Sequence, residues 1–171
     1  SCIPSQWPHH NQSPQPHLPV CQGVLHLRSL EPLAELPARL LDRLVHWAQV
    51  RPEQTFIAAR QAGGDWRRVS YREMLDSVRA IAQGLLSYGL SAHKPLALLS
   101  GNDIEHLQIA LGAMYAGIPY SPISPAYSLL SQDFAKLRHV CDLLQPGLVF
   151  VSDAAAYQRA IDAVQGQCRE F

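Results

Sequence analysis

Apolar residues in this chain change rhythm most clearly between Pro95 and Pro125. Leu96 to Leu99 is an unbroken apolar run, the pattern of a strand buried on both faces of a parallel sheet. Ser100-Gly101-Asn102 marks a turn, and Asn102 or Asp103 is placed to cap a helix by accepting from its unpaired N–H groups. Ile104, Leu107, Leu111 and Met114 then recur at helical spacing and predict one buried face. Gly117 suits a left-handed C-terminal cap, and Ile118-Pro119-Tyr120 opens a second extended segment. The stretch reads as strand, helix, strand, a parallel crossover unit.

The same two rhythms organise the rest. Leu40, Leu41, Leu44, Val45 and Ala48 predict a helix that ends at Arg51-Pro52. Thr55 to Ala59 and Trp66 to Val69 read as short strands joined by the turn Gly63-Gly64-Asp65, hence a small hairpin. Ser70-x-x-Glu73 is a capping box before a helix that should bury Met74, Val78, Ile81, Ala82, Leu85 and Leu86 and stop at Gly89. Beyond the crossover unit, Ser121 to Leu130 reads as a proline-containing loop. Ser131 is the expected cap of a helix carrying Phe134, Leu137, Val140, Cys141 and Leu144, stopped by Gln145-Pro146-Gly147. Leu148 to Val151 is the next buried strand. Ser152 or Asp153 starts a last helix whose inner face is Tyr157, Ala160, Ile161 and Val164. Alternation of this kind predicts an α/β fold: an open, mainly parallel sheet with flanking helices, plus a small amino-terminal hairpin.

Composition changes this picture at one end only. Residues 1–22 hold five prolines, three histidines and no charged side chain. This segment is expected to be a disordered leader, with the α/β domain over 23–171. His9, His10, His17, Cys2 and Cys21 lack the spacing of a metal site. The other cysteines are Cys141, on an apolar helix face, and Cys168. No Cys-x-x-Cys occurs, which favours a reducing, cytoplasmic setting. The first residues lack a basic start and an apolar run, so no secretory signal is expected, and a start at Ser1 is expected of a processed, engineered or fragmentary chain. With 14 basic and 14 acidic residues, 47% apolar content and no block of like charge, nothing points to nucleic acid or a polybasic membrane contact. No apolar run approaches the ~20 residues of a spanning helix.

In open parallel sheets ligands bind beyond the carboxyl ends of the strands. Here that edge comprises Ser100-Gly101-Asn102, Ser121 to Ser124 and Ser152-Asp153. Its chemistry is sparse. A dinucleotide site needs several glycines at fixed spacing, and Ser100-Gly101-Asn102-Asp103 has one, followed by a carboxylate that repels phosphate. No Gly-x-x-x-x-Gly-Lys loop or Gly-x-Ser-x-Gly elbow is present. Ser100, Asp103 and His106 are a candidate triad, but three residues in one turn and its helix should point in different directions about the axis. Capping and a solvated face account for them better. His93 and His139 read as exposed. Tyr127 and Ser128 fit turn chemistry, and Trp47 and Trp66 fit a plug between the first helix and the hairpin.

Sequence motifs go further. Ser70-Tyr71-Arg72-Glu73, then Ala82-Gln-Gly-Leu-Leu-x-x-Gly-Leu90, Pro95-Leu-Ala-Leu-Leu-Ser-Gly-Asn102 and Ala113-Met-Tyr-Ala-Gly-Ile-Pro-Tyr-Ser-Pro122 resemble the opening of the adenylate-forming enzymes, which include the AMP-forming acyl-CoA synthetases. Ser124-Pro-Ala-Tyr-Ser-Leu-x-Ser-Gln-Asp-Phe-x-Lys-Leu-Arg138, Arg28-Ser-x-Glu-Pro-Leu33 and Leu44-Val-His-Trp-Ala48 are similar to the bacterial feruloyl-CoA synthase branch. The resemblance spans about Val24 to Val164. It implies an enzyme that uses ATP and magnesium to make an acyl-adenylate and then passes the acyl group to coenzyme A, with an aromatic hydroxycinnamate such as ferulate as the acid. The family's phosphate loop, magnesium-associated acid, ribose aspartate and late catalytic lysine have no counterpart in these residues. The chain is therefore expected to be an amino-terminal piece, inactive and marginally stable alone, with no catalytic, cofactor-binding or metal residue assignable. The competing expectation is a non-catalytic α/β interaction module or a relic of a truncated gene. A dehydrogenase-like nucleotide domain is disfavoured by the missing glycines.

Overall fold

The computed structural model describes Val20–Cys21, Val24–Leu25 and residues 36–166. The chain divides into two units, Ser1–Ala38 and Arg39–Phe171. In the first, β1 (Val20–Cys21) pairs antiparallel with β2 (Val24–Leu25). The rest of the expected leader, with Cys2, His9, His10 and His17, lies outside the described residues, as do Arg28 to Leu33 and Cys168.

The second unit begins with α1 (Leu41–Val50), followed by β3 (Thr55–Arg60) and β4 (Trp66–Ser70), an antiparallel hairpin with a register shift between Thr55 and Ile57. The predicted capping box opens α2 (Tyr71–Leu85). Ser70 Oγ accepts from the Glu73 N–H at 3.3 Å, and Glu73 accepts from the Ser70 N–H at 2.7 Å. Hydrogen bonding from the Ser70 backbone N–H first, and from the Ser70 side chain second, holds the Glu73 carboxyl below its ordinary pKa. A 3-10 turn, Leu86–Tyr88, follows and ends at Gly89 with φ 61°. Leu86 was expected inside but is exposed, because the helix tightens one residue earlier and carries it off the apolar face.

Three parallel strands form the sheet in the order β6 (Tyr120–Pro122), β5 (Leu96–Leu99), β7 (Leu148–Val151). Leu96 pairs with Tyr120 on one side and with Leu148 on the other. β5 is buried throughout. Leu96 and Leu98 pack with Ile109, Ala110 and Ala113 of α3 (Ile104–Ala116). Ala97 and Leu99 face the other way, into Leu137 and Cys141 of α5 (Ala135–Leu144) and Tyr157, Ala160 and Val164 of α6 (Ala154–Val164). Alternate residues of one strand therefore serve two separate layers, as an unbroken apolar run requires. The α/β fold with a parallel sheet and flanking helices is the one expected.

Four local expectations are corrected. The predicted apolar face of α3, with Ile104, Leu107, Leu111 and Met114, packs on α1, α2 and the hairpin; the sheet meets a second, smaller-chained face, so α3 is buried on two sides. The loop Ser121–Leu130 contains the end of β6 and a short helix, α4 (Ala126–Leu129). Ser131 does accept from the Phe134 N–H at 2.9 Å, but α5 starts only at Ala135, because Phe134 is left-handed at φ 54°. Trp66 is exposed; the aromatic plug near the hairpin is Trp47, Tyr71 and Phe56, with Phe56 edge-on to Tyr71 at 5.1 Å.

Candidate functional site

The two connections that leave β5 and β6 diverge. β5 feeds α3 on the Leu96/Leu98 face, and β6 leads through α4 to α5 on the Ala97/Leu99 face. Where neighbouring parallel strands send their chains to opposite faces, a crevice opens beyond their carboxyl ends. The structure has one there, a shallow depression of about 450 Å³. Ser100, Gly101, Asn102 and His106 form its β5 side; Pro122, Ile123, Ser124 and Pro125 form its β6 side. Two of the three edge segments predicted from sequence thus meet. The third does not join them: Ser152 and Asp153 are absent from the lining, and Asp153 caps α6 by accepting from the Ala156 N–H at 3.0 Å.

The triad expectation changes in one respect. Ser100 Oγ and His106 Nδ1 lie 2.6 Å apart, so these two side chains do meet. Asp103 does not complete a triad; its carboxylate accepts from the His106 backbone N–H at 2.6 Å and caps α3. The sequence holds a readable cue for this contact. Helical Cα–Cβ bonds tilt toward the helix start, so the third helical residue reaches back past the cap. Glu73 does this behind Ser70, and His106 does it behind Asp103. Ser100 is almost fully buried at 3% exposure, so the pair sits at the root of the crevice.

The surrounding charges are few. No lysine or arginine lines the depression. Arg67 of β4 holds Glu105 of α3 in an ion pair, and that hydrogen bond keeps the Glu105 carboxyl below its usual pKa. Tyr157 of α6 is buried, and its hydroxyl has no hydrogen-bond partner. Burial, then the nearby Asp103 and Asp153, raise its pKa. Ser128 Oγ is likewise buried without a partner, while Tyr127 packs on the same core under Lys136. His93 and His139 are exposed, as expected. A larger cavity, about 720 Å³ and floored by Leu41, Val45 and Met114, lies at the other end of α3 beside Tyr115 and Gly117. It lies at the opposite end of α3 from the crevice and shares no lining residue with it. Among the described residues no group of three or more His, Cys, Asp or Glu side chains could hold a metal. None of the described helices is long and apolar enough to cross a membrane.

A family model described as AMP-binding enzyme matches residues 44–170, which includes the whole parallel sheet and the crevice. The chain belongs to the AMP-binding enzyme family. Among known members, luciferin 4-monooxygenase of Luciola mingrelica is 29% identical over 84 residues, covering 49% of this chain and 14% of that protein. Two solved structures share the fold. A fatty acyl-adenylate ligase from L. pneumophila, solved with acyl adenylate and pyrophosphate, superposes with a TM-score of 0.63 at 19% identity over 78% of this chain. A Mycobacterium tuberculosis fatty acyl CoA synthetase does so with a TM-score of 0.59 at 21% identity over 74% of this chain. This AMP-binding family chain spans 23% and 24% of the length of those two structures.

Proposed function

We propose that this chain is the amino-terminal portion of an ATP-dependent, AMP-forming acid–CoA ligase of the cytoplasm. The enzyme makes an acyl-adenylate from ATP and the acid, then an acyl-CoA. The observation that carries this reading is the family match over 44–170, in a chain that spans 23% and 24% of the two ligase structures described above. The acid we assign is an aromatic hydroxycinnamate such as ferulate, from the resemblance over Ser124 to Arg138.

These residues serve that reaction as scaffold. Phosphate recognition needs donors and positive charge, and the crevice offers no cation and a carboxylate at the start of α3. ATP, magnesium and coenzyme A therefore find their principal contacts outside these residues, and the isolated chain is inactive. The test has two arms. The complete gene product should release pyrophosphate in a ferulate-dependent manner, faster than with a long-chain fatty acid, and the 171-residue chain should show no ATP–pyrophosphate exchange. Exchange by the isolated chain overturns the scaffold assignment; preference for the fatty acid overturns the aromatic one. A complete product without exchange, found bound to a protein partner, supports the interaction-module alternative.

A further inference from the structure

We propose that the cavity at the far end of α3 binds a small amphipathic monoanion, its apolar body seated between α1 and α3 and its oxyanion head on Arg79 of α2. This does not rest on the ligase reading. The cavity's volume, about 720 Å³, falls within the ~300–1,000 Å³ of small-molecule pockets. Two helices supply its floor. Leu41 and Val45, four residues apart, bring one face of α1 to it, and Met114 brings the last turn of α3. Leu41 is buried, but Val45 and Met114 are only half-buried, and Leu40 and Tyr115 beside them are exposed. Apolar surface left wet in a recess is surface that an apolar ligand gains free energy by covering.

Side-chain charge selects the class. Among the described residues the charged lining is Arg39, Asp42 and Arg79. Arg39 and Asp42 cancel: one Asp42 oxygen lies 2.9 Å from the Arg39 guanidinium, and the other accepts from the Arg39 backbone N–H at 3.1 Å. Arg79 is exposed, and among the described residues no carboxylate forms an ion pair with it. Asp76, one turn earlier on α2, lines only the neighbouring depression, beside Gln49 and Arg72. Helix dipoles do not decide the sign, because the start of α1 and the end of α3 border the cavity with opposite polarity. What remains is one uncommitted guanidinium, whose planar fork of donors matches an oxyanion. A cation is repelled there, a neutral ligand leaves Arg79 unused, and a polyanion finds a single positive group.

The test is a titration of the complete gene product, isotope-labelled in its methionine methyl groups, with octanesulfonate as probe. Met114 is assigned by the signal missing from Met114→Leu, a swap of similar volume. Octanesulfonate should shift the Met114 signal saturably, and about tenfold more tightly than hexanesulfonate, which is two methylenes shorter. Octyltrimethylammonium should leave the signal in place, and 1-octanol should move it only at higher concentration. Arg79→Gln should weaken octanesulfonate about tenfold and leave 1-octanol unchanged. An unmoved Met114 signal overturns the site. Binding of octyltrimethylammonium or 1-octanol as tight as that of octanesulfonate overturns the ligand class, and an unchanged affinity in Arg79→Gln overturns the assignment of the head group to Arg79.

Discussion

A methyl group placed on Gly112 would lie 2.4 Å from Cγ2 of Ile81 and 2.9 Å from its Cβ. The two helices α2 and α3 therefore pack through a position that only glycine can occupy. Ile81 cannot yield easily, since its Cβ sits on the backbone of α2 and a β-branched side chain has few rotamers in a helix. Gly112→Ala should cost about 1–3 kcal/mol by overpacking, read as a lower urea midpoint. Gly84, on the exposed side of α2 with nothing near it, is the control: Gly84→Ala should stabilise by about 0.5–1 kcal/mol. Equal responses at the two sites would contradict the close crossing.

Removing the hydroxyl that starts α2 should cost about 1 kcal/mol, measured as the denaturation midpoint of Ser70→Ala.

Acid should weaken the fold through three carboxylates. Glu73, Glu105 and Asp133 all titrate below their ordinary values: Glu73 through its Ser70 bonds, Glu105 through Arg67, and Asp133 through the Ala135 N–H and then Ser131. The folded state thus holds their protons less tightly than the unfolded chain. Their contribution is complete above the unfolded carboxylate range and is lost as pH falls through the depressed folded values. Stability followed from pH 6 downward should decline below about pH 4.5, and Glu73→Gln should flatten part of that decline.

Tyr157 gives the opposite sign. Its buried hydroxyl lacks a partner, so Tyr157→Phe should be neutral or should stabilise by about 1 kcal/mol. The raised phenol favours the protonated form in the fold. Stability from this group is complete below the unfolded tyrosine pKa of about 10 and is lost as pH rises beyond it. An alkaline absorbance titration should show one tyrosine that ionises late and that disappears in Tyr157→Phe.

Much of the fold was legible because local rules and packing agree. The run Leu96–Leu99, the Ser70–Glu73 box and the Gly117 cap each carry their meaning within a few residues, and each stands where the pattern put it. What escaped depended on partners distant in sequence. The second buried face of α3 is hard to see by periodicity, because Ala110 and Ala113, packed with the sheet, carry little hydrophobic contrast. Trp66 looked like core by its size alone, and its burial depended on whether α1 or open solvent lay beyond β4. For the site, the strand ends were readable and the Ser100–His106 contact was not, although the reach-back of a third helical residue had already been recognised at Glu73.

The central place of β5 also sets an order of assembly during synthesis. Its β6 edge can be paired as soon as α3 and β6 have been made, with Leu96 and Leu98 covered at once. Its β7 edge must wait for a strand roughly twice as far along the chain. Closing the longer loop adds only about 0.6 kcal/mol, so the delay is one of timing and not of energy. Until Leu148 to Val164 emerge, Ala97 and Leu99 have only the α5 half of their layer, beside an unpaired strand edge. A nascent chain held at that stage presents apolar surface and a bare strand edge together, the state most open to aggregation.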